Sequence, residues 1–366
     1  MKRTIFPFDF TQYYPVGIRP CPMYVDVANR IYDRIKGMEI ELPNADNLKR
    51  EIAINVAIYY EDKMSGIGLW NAFVARHMLT YFRALPFFDD FDVLNKEDVN
   101  GKEIELLVWL VLSRNFDDRF INPLVIGNNA AKTIMEVLLE DDEVEVNEAL
   151  YDFIYDKDKA NDYFRLKHVL FWLRRSYLLC HPLSEEKFNE LKNLYSNYFD
   201  KTESSYYAET IFSMDTEIGP MALNAHLWLA DMYYYNHMYD ESKKLTELKY
   251  CQQDVFEVLS ADAKYVTLKA SDGITYKLAN DHLDAFRTGW YITTALVKYG
   301  NNDWEINGVL FKSNKDVYDQ MCERKEQLEY SYDHVYPRYM ERTKGKRLAL
   351  FENKSQLVDW LKMVSP

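Results

Sequence analysis

Cysteine is scarce in this chain: Cys21, Cys180, Cys251 and Cys322 are the only four in 366 residues. No two share a CxxC spacing, which excludes a zinc ribbon or a thioredoxin-type redox motif and points to a reducing compartment. Glycine (12) and proline (11) are also sparse, which argues for long helices and against a large all-β fold with many tight turns. Long apolar runs are missing. The most apolar stretch, Leu106–Leu112 (LLVWLVL), falls far short of the ~20 residues that span a bilayer. The opening MKRTIFPFDF sets Pro7 and Asp9 where a signal peptide needs an uninterrupted apolar core. GxSxG, HExxH, GxGxxG and GxxxxGK[ST] patterns do not occur, so neither a nucleophile elbow nor a Gly-rich phosphate cradle is signalled.

Positive charge is the other deficit. The chain has 44 Lys and Arg against 58 Asp and Glu, a formal net charge of -14. Residues 301–366 hold 11 basic and 11 acidic side chains, so residues 1–300 carry the whole excess. An acidic body repels phosphate, which opposes non-specific nucleic-acid binding. The one local exception is Arg338, Arg342, Lys344, Lys346 and Arg347, interleaved with Tyr336 and Tyr339. Such a run would contact nucleic acid by charge and stacking, although a solvated linker after Pro337 is its more ordinary meaning. These features predict a soluble, cytoplasmic protein.

Aromatic residues are abundant at 15 %, with 29 Tyr, a composition suited to thick helical packing with polar edges. Four prolines before Met23 mark an extended arm, laid over the body by Phe6, Phe8, Phe10 and Tyr13. Helical spacing then predicts helices at Met23–Ile35, at Asn47–Asp62 up to a Gly-broken corner (Ser65-Gly66-Ile67-Gly68), from that corner to Pro86, and at Glu103–Arg114, the last read as the buried centre. Further helices are expected at Ala130–Leu139, Val144–Ile154 and Ala160–Cys180, then from a start at Pro182 with Ser184 as N-cap to about Phe199. Lys201–Ser205 reads as a polar link, followed by helices at Tyr206–Met214, Met221–Asn236 and Met238–Leu248. The hairpin ALNAHLWLADMYYYNHMYDESKKL looks like one tetratricopeptide unit without a second copy, so a single antiparallel pair packed in a larger domain is the plainer reading. From Val255 the pattern alternates, with a hairpin signal at Asp272-Gly273.

Two groups of residues are candidates for a site. Glu61 and Asp62 before the Gly corner and Trp70 after it, with the loop carboxylates Asp89, Asp90 and Asp92, would hold a divalent cation or supply an acid–base pair if they converged. Adjacent helical positions point apart, so at most one of Glu61 and Asp62 faces any one ion. The plainer reading is a solvated acidic surface. The second group is His168, Phe171, Trp172 and Arg175 on one helical face, a pocket in which Arg174 or Arg175 would read a carboxylate or phosphate. Its plainer reading is core with snorkelling Arg stems.

The phrases EDKMSGIGLWNAF, LPFFDD, EIELLVWLVL, GPMALNAHLWLAD and WEINGVLF together resemble a family of uncharacterised bacterial proteins classed as a domain of unknown function. The resemblance runs from about Pro20 to Phe311. It implies a shared architecture and carries no activity, cofactor or catalytic residues.

The expectation is an α+β, mainly α protein: a multi-helix body with a small antiparallel sheet or SH3/OB-like partial barrel near the C-terminal third. Residues 1–200 form a helical domain with its arm, 201–249 a helical hairpin, 250–311 the β module and 312–366 C-terminal helices. The leading functional reading is a non-enzymatic module that binds a protein or peptide partner, without cofactor. The alternative is a divalent-metal enzyme using Glu61, Asp62, Asp89, Asp90 and Asp92.

Overall fold

Apolar residues spaced three and four apart dominate the first two thirds of the chain, and there the backbone is helical. The computed structural model describes residues 4–39, 42–82, 85, 98–116, 123–140, 144–196, 200–280, 286–300, 303–307 and 310–322. Its helices run in the order α1 (Pro7–Phe10), α2 (Pro22–Ile35), α3 (Ala45–Met64), α4 (Leu69–Tyr81), α5 (Gly101–Arg114), α6 (Pro123–Leu138) and α7 (Glu148–Tyr155). There follow α8 (Lys157–Ala160), α9 (Tyr163–Leu173), α10 (Pro182–Ser196), α11 (Lys201–Asp215), α12 (Ala225–Tyr235) and α13 (Tyr239–Thr246). Residues 315–322 are helical again. No helix among the described residues is long and apolar enough to cross a membrane.

Burial follows the periodicity. Tyr24, Val27, Ala28, Ile31 and Ile35 form the inner stripe of α2, and α5 buries Ile104, Leu106, Leu107, Val108, Trp109, Val111 and Leu112. That makes α5 the apolar centre its composition suggests. Asn100 caps it by accepting a hydrogen bond from Lys102 N at 2.8 Å, the usual use of an Asn at that position.

The strands are β1 (Glu217–Ile218), β2 (Leu223–Asn224), β3 (Lys249–Ala261), β4 (Tyr265–Lys269), β5 (Thr275–Ala279), β6 (Tyr291–Lys298), β7 (Glu305–Ile306) and β8 (Phe311–Ser313). β1 and β2 form a small hairpin. The others make one antiparallel sheet in the order β5-β4-β3-β6-β7, with β8 also on β6. Gly273, at φ 84°, makes the β4–β5 turn, a backbone region that costs glycine little. Register shifts between Cys251 and Asp254 and between Val258 and Ser260 bend β3, because a bulge adds local twist. The curl brings Leu278 of β5 to a parallel bridge with Trp304, just before β7, so the sheet closes as a half-barrel.

Two apolar cores result. Phe256, Val258, Val266, Leu268, Leu278, Ile292 and Leu296 fill the inside of the sheet. The helical core takes in Val297 and Tyr299 as well. β6 therefore serves both, since alternate side chains of a strand leave by opposite faces. The Tyr299 hydroxyl donates to Ala160 O at 2.7 Å, binding the strand's end to α8.

Several boundaries differ from those the sequence suggests. In the arm, Phe6 and Phe8 are exposed and stack on each other, while Ile5, Phe10, Tyr13 and Tyr14 are buried. The turn of α1 rotates these faces away from simple alternation. Ala160–Cys180 is not one helix: Asp162 caps a new start by accepting from Phe164 N at 2.9 Å, and α9 ends at Leu173. α10 begins at Pro182, where His181 Nδ1 accepts from Leu183 N at 3.1 Å, so His181 and not Ser184 is the capping side chain. Lys201–Ser205 is the first turn of α11, started by Asp200, which accepts from Thr202 N at 2.7 Å. Polar residues suit a first turn as well as they suit a link. Gly219-Pro220 lies in the turn of the β1–β2 hairpin, and α12 starts only at Ala225. β3 begins at Lys249, six residues before the alternation at Val255, because pairing of Lys249 with Lys298 and Tyr250 with Val297 holds a stretch whose own pattern is polar.

Candidate functional site

The Gly corner is built from the end of α3. Ser65 ends the helix, and Gly66 at φ 65° and Gly68 at φ 78° turn the chain into α4. Ile67 N returns to Asp62 O at 3.0 Å, which closes a Schellman-type cap. The Asp62 carboxylate accepts from Leu69 N at 3.1 Å, Trp70 N at 2.8 Å and the Tyr177 hydroxyl at 2.7 Å. It thus caps α4, where an anion is also favoured by the helix dipole. Glu61 turns the other way. Its Oε1 accepts from Cys21 N at 3.1 Å and Asn147 Nδ2 at 2.9 Å, and its Oε2 accepts from the Tyr14 hydroxyl. A third carboxylate, Glu103 of α5, accepts from Trp70 Nε1 at 2.8 Å and from the Tyr59 hydroxyl, and Lys63 Nζ lies 3.4 Å away.

Glu61 and Asp62 are 0 % and 3 % exposed, and Trp70 is fully buried. Burial raises the carboxyl pKa of Glu61, Asp62 and Glu103, with the hydrogen bonds opposing it and, for Asp62 and Glu103, Lys63 as well. Every oxygen of the Glu61 and Asp62 carboxylates accepts from a donor within the protein. What the group does is hold the arm, α3, α4 and the start of α7 together. Asp89, Asp90 and Asp92 lie outside the described residues, so their approach to Glu61 and Asp62 is not part of this geometry. Among the described residues, no group of three or more His, Cys, Asp or Glu side chains is arranged to hold a metal ion.

The second group opens to solvent. His168, Phe171 and Trp172 on α9, with Arg175 one turn on, line a cavity of about 440 Å³. Tyr14, Pro15 and Val16 from the arm, Phe153 of α7, and Ser205 and Glu209 of α11 complete it. The volume lies in the range of small-molecule and side-chain pockets. Trp172 is locked in place: its Nε1 donates to Tyr13 O at 2.7 Å, and its ring meets Phe153 edge-to-face at 6.1 Å. His168 lies between Phe164 and Phe171, and partial burial followed by the nearby Lys167 charge lowers its pKa below the ordinary histidine value.

The two consecutive arginines diverge. Arg174 turns inward, pairs with Glu185 and with Glu209 at 3.4 Å, and lies over the Phe188 ring at 4.3 Å. Arg175 is exposed and its guanidinium has no hydrogen-bond or ion-pair partner among the described residues. It also lines a second cavity, of about 370 Å³, with Gln12, Tyr13, Glu51, Arg114, Cys180, His181, Pro182 and Glu185. There Arg114 is committed: Nη2 is 2.5 Å from Glu51 Oε1, and Nη1 donates to Tyr177 O at 2.8 Å. Arg175 is thus a cation uncommitted among the described residues and shared by two cavities.

Helical spacing alone groups His168, Phe171, Trp172 and Arg175. It does not reveal Tyr14, Pro15, Val16, Phe153, Ser205 or Glu209, which come from three other segments. The only hint was the run of aromatic and Pro residues in the arm, which had to cover something. Likewise Glu103 and Tyr177 join the corner from distant positions and carry no local signal. The basic run Arg342, Lys344, Lys346 and Arg347 lies outside the described residues.

A family model described as protein of unknown function (DUF3843) matches residues 4–282, and the chain belongs to that family. The match ends between β5 and β6, short of Phe311, where the resembling phrases stop. No curated protein and no solved structure matches the chain.

Proposed function

We propose that this member of the family acts by binding, as a module that takes a segment of a protein or peptide partner into the cleft between the arm, α9 and α11. The observation that carries this reading is the open cavity of about 440 Å³ with Phe153, Phe171 and Trp172 in its wall and, at its edge, Arg175, unpaired among the described residues. An apolar concavity with one or two placed polar groups is the usual form of a recognition site. Of the polar groups that line the cleft with His168, neither Glu209 nor Ser205 is free to act as its acid–base partner. Glu209 is engaged by Arg174, and the Ser205 hydroxyl donates to Lys201 O at 2.9 Å within its own helix.

Panning a displayed random-peptide library against the wild-type protein and against Ser205→Trp, which fills the cleft from the α11 side, tests this. The expected result is enrichment of related sequences on the wild type that the filled variant does not hold. Equal retention by both proteins, or no enrichment on either, would remove the cleft as the binding site.

A further inference from the structure

Arg175 is the feature that the fold itself leaves unexplained. In a chain of net charge -14, Arg174 and Arg114 are both taken up by carboxylates, whereas Arg175 stands exposed without one among the described residues. The C-terminal end of α9 favours a cation there, but that does not require a planar five-donor fork. A guanidinium without a partner, beside an aromatic wall, is suited to bidentate capture of a carboxylate. Glu209, the acid in the wall of the same cavity, is drawn off by Arg174, so the cavity carries a positive edge.

We infer that the cleft recognises the free C-terminus of a polypeptide whose last residue is large and apolar, its side chain between Phe153, Phe171 and Trp172 and its α-carboxylate on Arg175. This rests on the binding reading above and narrows it to one class of occupant. The argument for a terminus is geometric. Apolar wall and cation line the same cavity, so the ligand must present apolar surface and carboxylate on one side. Neighbouring side chains of an extended peptide point to opposite sides, so an apolar residue next to an internal Asp or Glu presents only one of the two. A C-terminal residue carries both groups on one Cα. His168, at the same cavity, supplies a hydrogen bond to a terminal carboxylate oxygen.

The experiment is a synthetic peptide array with a common Gly-Ser tail and all pairs of residues at the last two positions, each made as free acid and as C-terminal amide. A further amide set carries Glu two residues before a final Phe. The wild-type protein is expected to hold the free acids ending in Phe, Leu, Met or Trp, and to hold their amides at least ~10-fold less. Arg175→Gln should abolish the acid–amide difference, and Arg175→Lys should recover part of it. Lys243→Gln, on the exposed side of α13, should change nothing. Acids and amides held equally well, or the internal-Glu set held as well as the acids, would overturn the terminus assignment and leave the binding reading standing. No peptide held better by the wild type than by Ser205→Trp would overturn both.

Discussion

Glu61 meets three donors from two segments: Tyr14 and Cys21 of the arm, and Asn147 at the start of α7. Truncation to Ala leaves all three buried donors unanswered and is expected to cost about 2–4 kcal/mol. Glu61→Gln keeps one acceptor oxygen and lets the Tyr14 hydroxyl accept instead of donate, so it should cost under about 1.5 kcal/mol at neutral pH. The pH dependence separates the two effects. The folded pKa of Glu61 is raised above 4.5 by burial, so between the unfolded and folded values the native state holds more protons. Over that window its contribution to stability falls as pH rises. Urea unfolding at pH 5 and pH 7 should therefore show Glu61→Gln gaining on the wild type toward pH 7. A constant gap would contradict a raised carboxyl at this site.

His168 makes an opposite-signed prediction for binding. Its lowered pKa keeps it neutral near pH 7, and protonation on acidification adds a second positive charge beside Arg175. A ligand carboxylate stays ionised well below pH 6. Affinity for a free C-terminal peptide should rise as pH falls through the His168 titration, and the rise should vanish in His168→Gln, as calorimetry across pH 5–7.5 would show.

At the scale of the element, the corner between α3 and α4 depends on backbone conformations that side chains resist. Gly66 and Gly68 both have positive φ, yet their surroundings differ. A Cβ on Gly66 meets only Tyr151 Cε2 at 3.9 Å, so Gly66→Ala should cost about 1 kcal/mol from the backbone alone. On Gly68 it would come within 3.0 Å of Asn236 Nδ2 and 3.4 Å of the Tyr155 oxygen, and the cost should be larger. Gly219, at φ 72° in the β1–β2 hairpin, would place a Cβ 2.3 Å from Leu179 Cδ2 and 3.1 Å from the Trp228 ring. Chemical denaturation should rank the three Ala variants Gly66, Gly68, Gly219 in order of increasing loss, and a reversed order would reject these packing arguments.

The elements also show how far local pattern reaches. α2, α5 and the β4–β5 hairpin stand where periodicity and the Asp272-Gly273 turn put them, since each is specified by its own residues. The cap of α10 and the starts of α11, α12 and β3 do not, because side chains at His181 and Asp200, a hairpin at Gly219 and a partner strand decide them.

For the whole molecule, β6 is the element that joins sheet and helices. Ile292 and Leu296 face the sheet core, Val297 and Tyr299 the helical one. Lys244 Nζ reaches Asn161 Oδ1 at 2.6 Å and its stem lies 3.2 Å from a Cβ position on Gly300. Loss of the Tyr299 hydroxyl in Tyr299→Phe should cost about 1 kcal/mol. Tyr299→Ala, which empties a fully buried site, should cost about 3–5 kcal/mol. Hydrogen exchange would then show faster opening of β6 amides together with α8, while Tyr299→Phe leaves β4 and β5 protected. Exchange confined to β6 would mean that the strand is held by the sheet alone.

From composition and pattern alone the chain is fixed as α+β and mainly helical, with a late antiparallel sheet, and His168, Phe171, Trp172 and Arg175 are placed on one face. These follow from local rules: helical and strand periods, turn chemistry and charge. What those residues face was settled only by tertiary structure. It drew Glu61 and Asp62 inward, where buried donors claim every oxygen, and it laid the arm and α11 over α9 to make a cleft. It also gave Arg174 to Glu185 and Glu209 while leaving Arg175 unpaired among the described residues. Hydrogen-bond partners lie up to 159 positions apart, as Trp172 and Tyr13 do, the walls of the cleft reach from Tyr14 to Glu209, and no spacing rule within a helix or strand reaches that far.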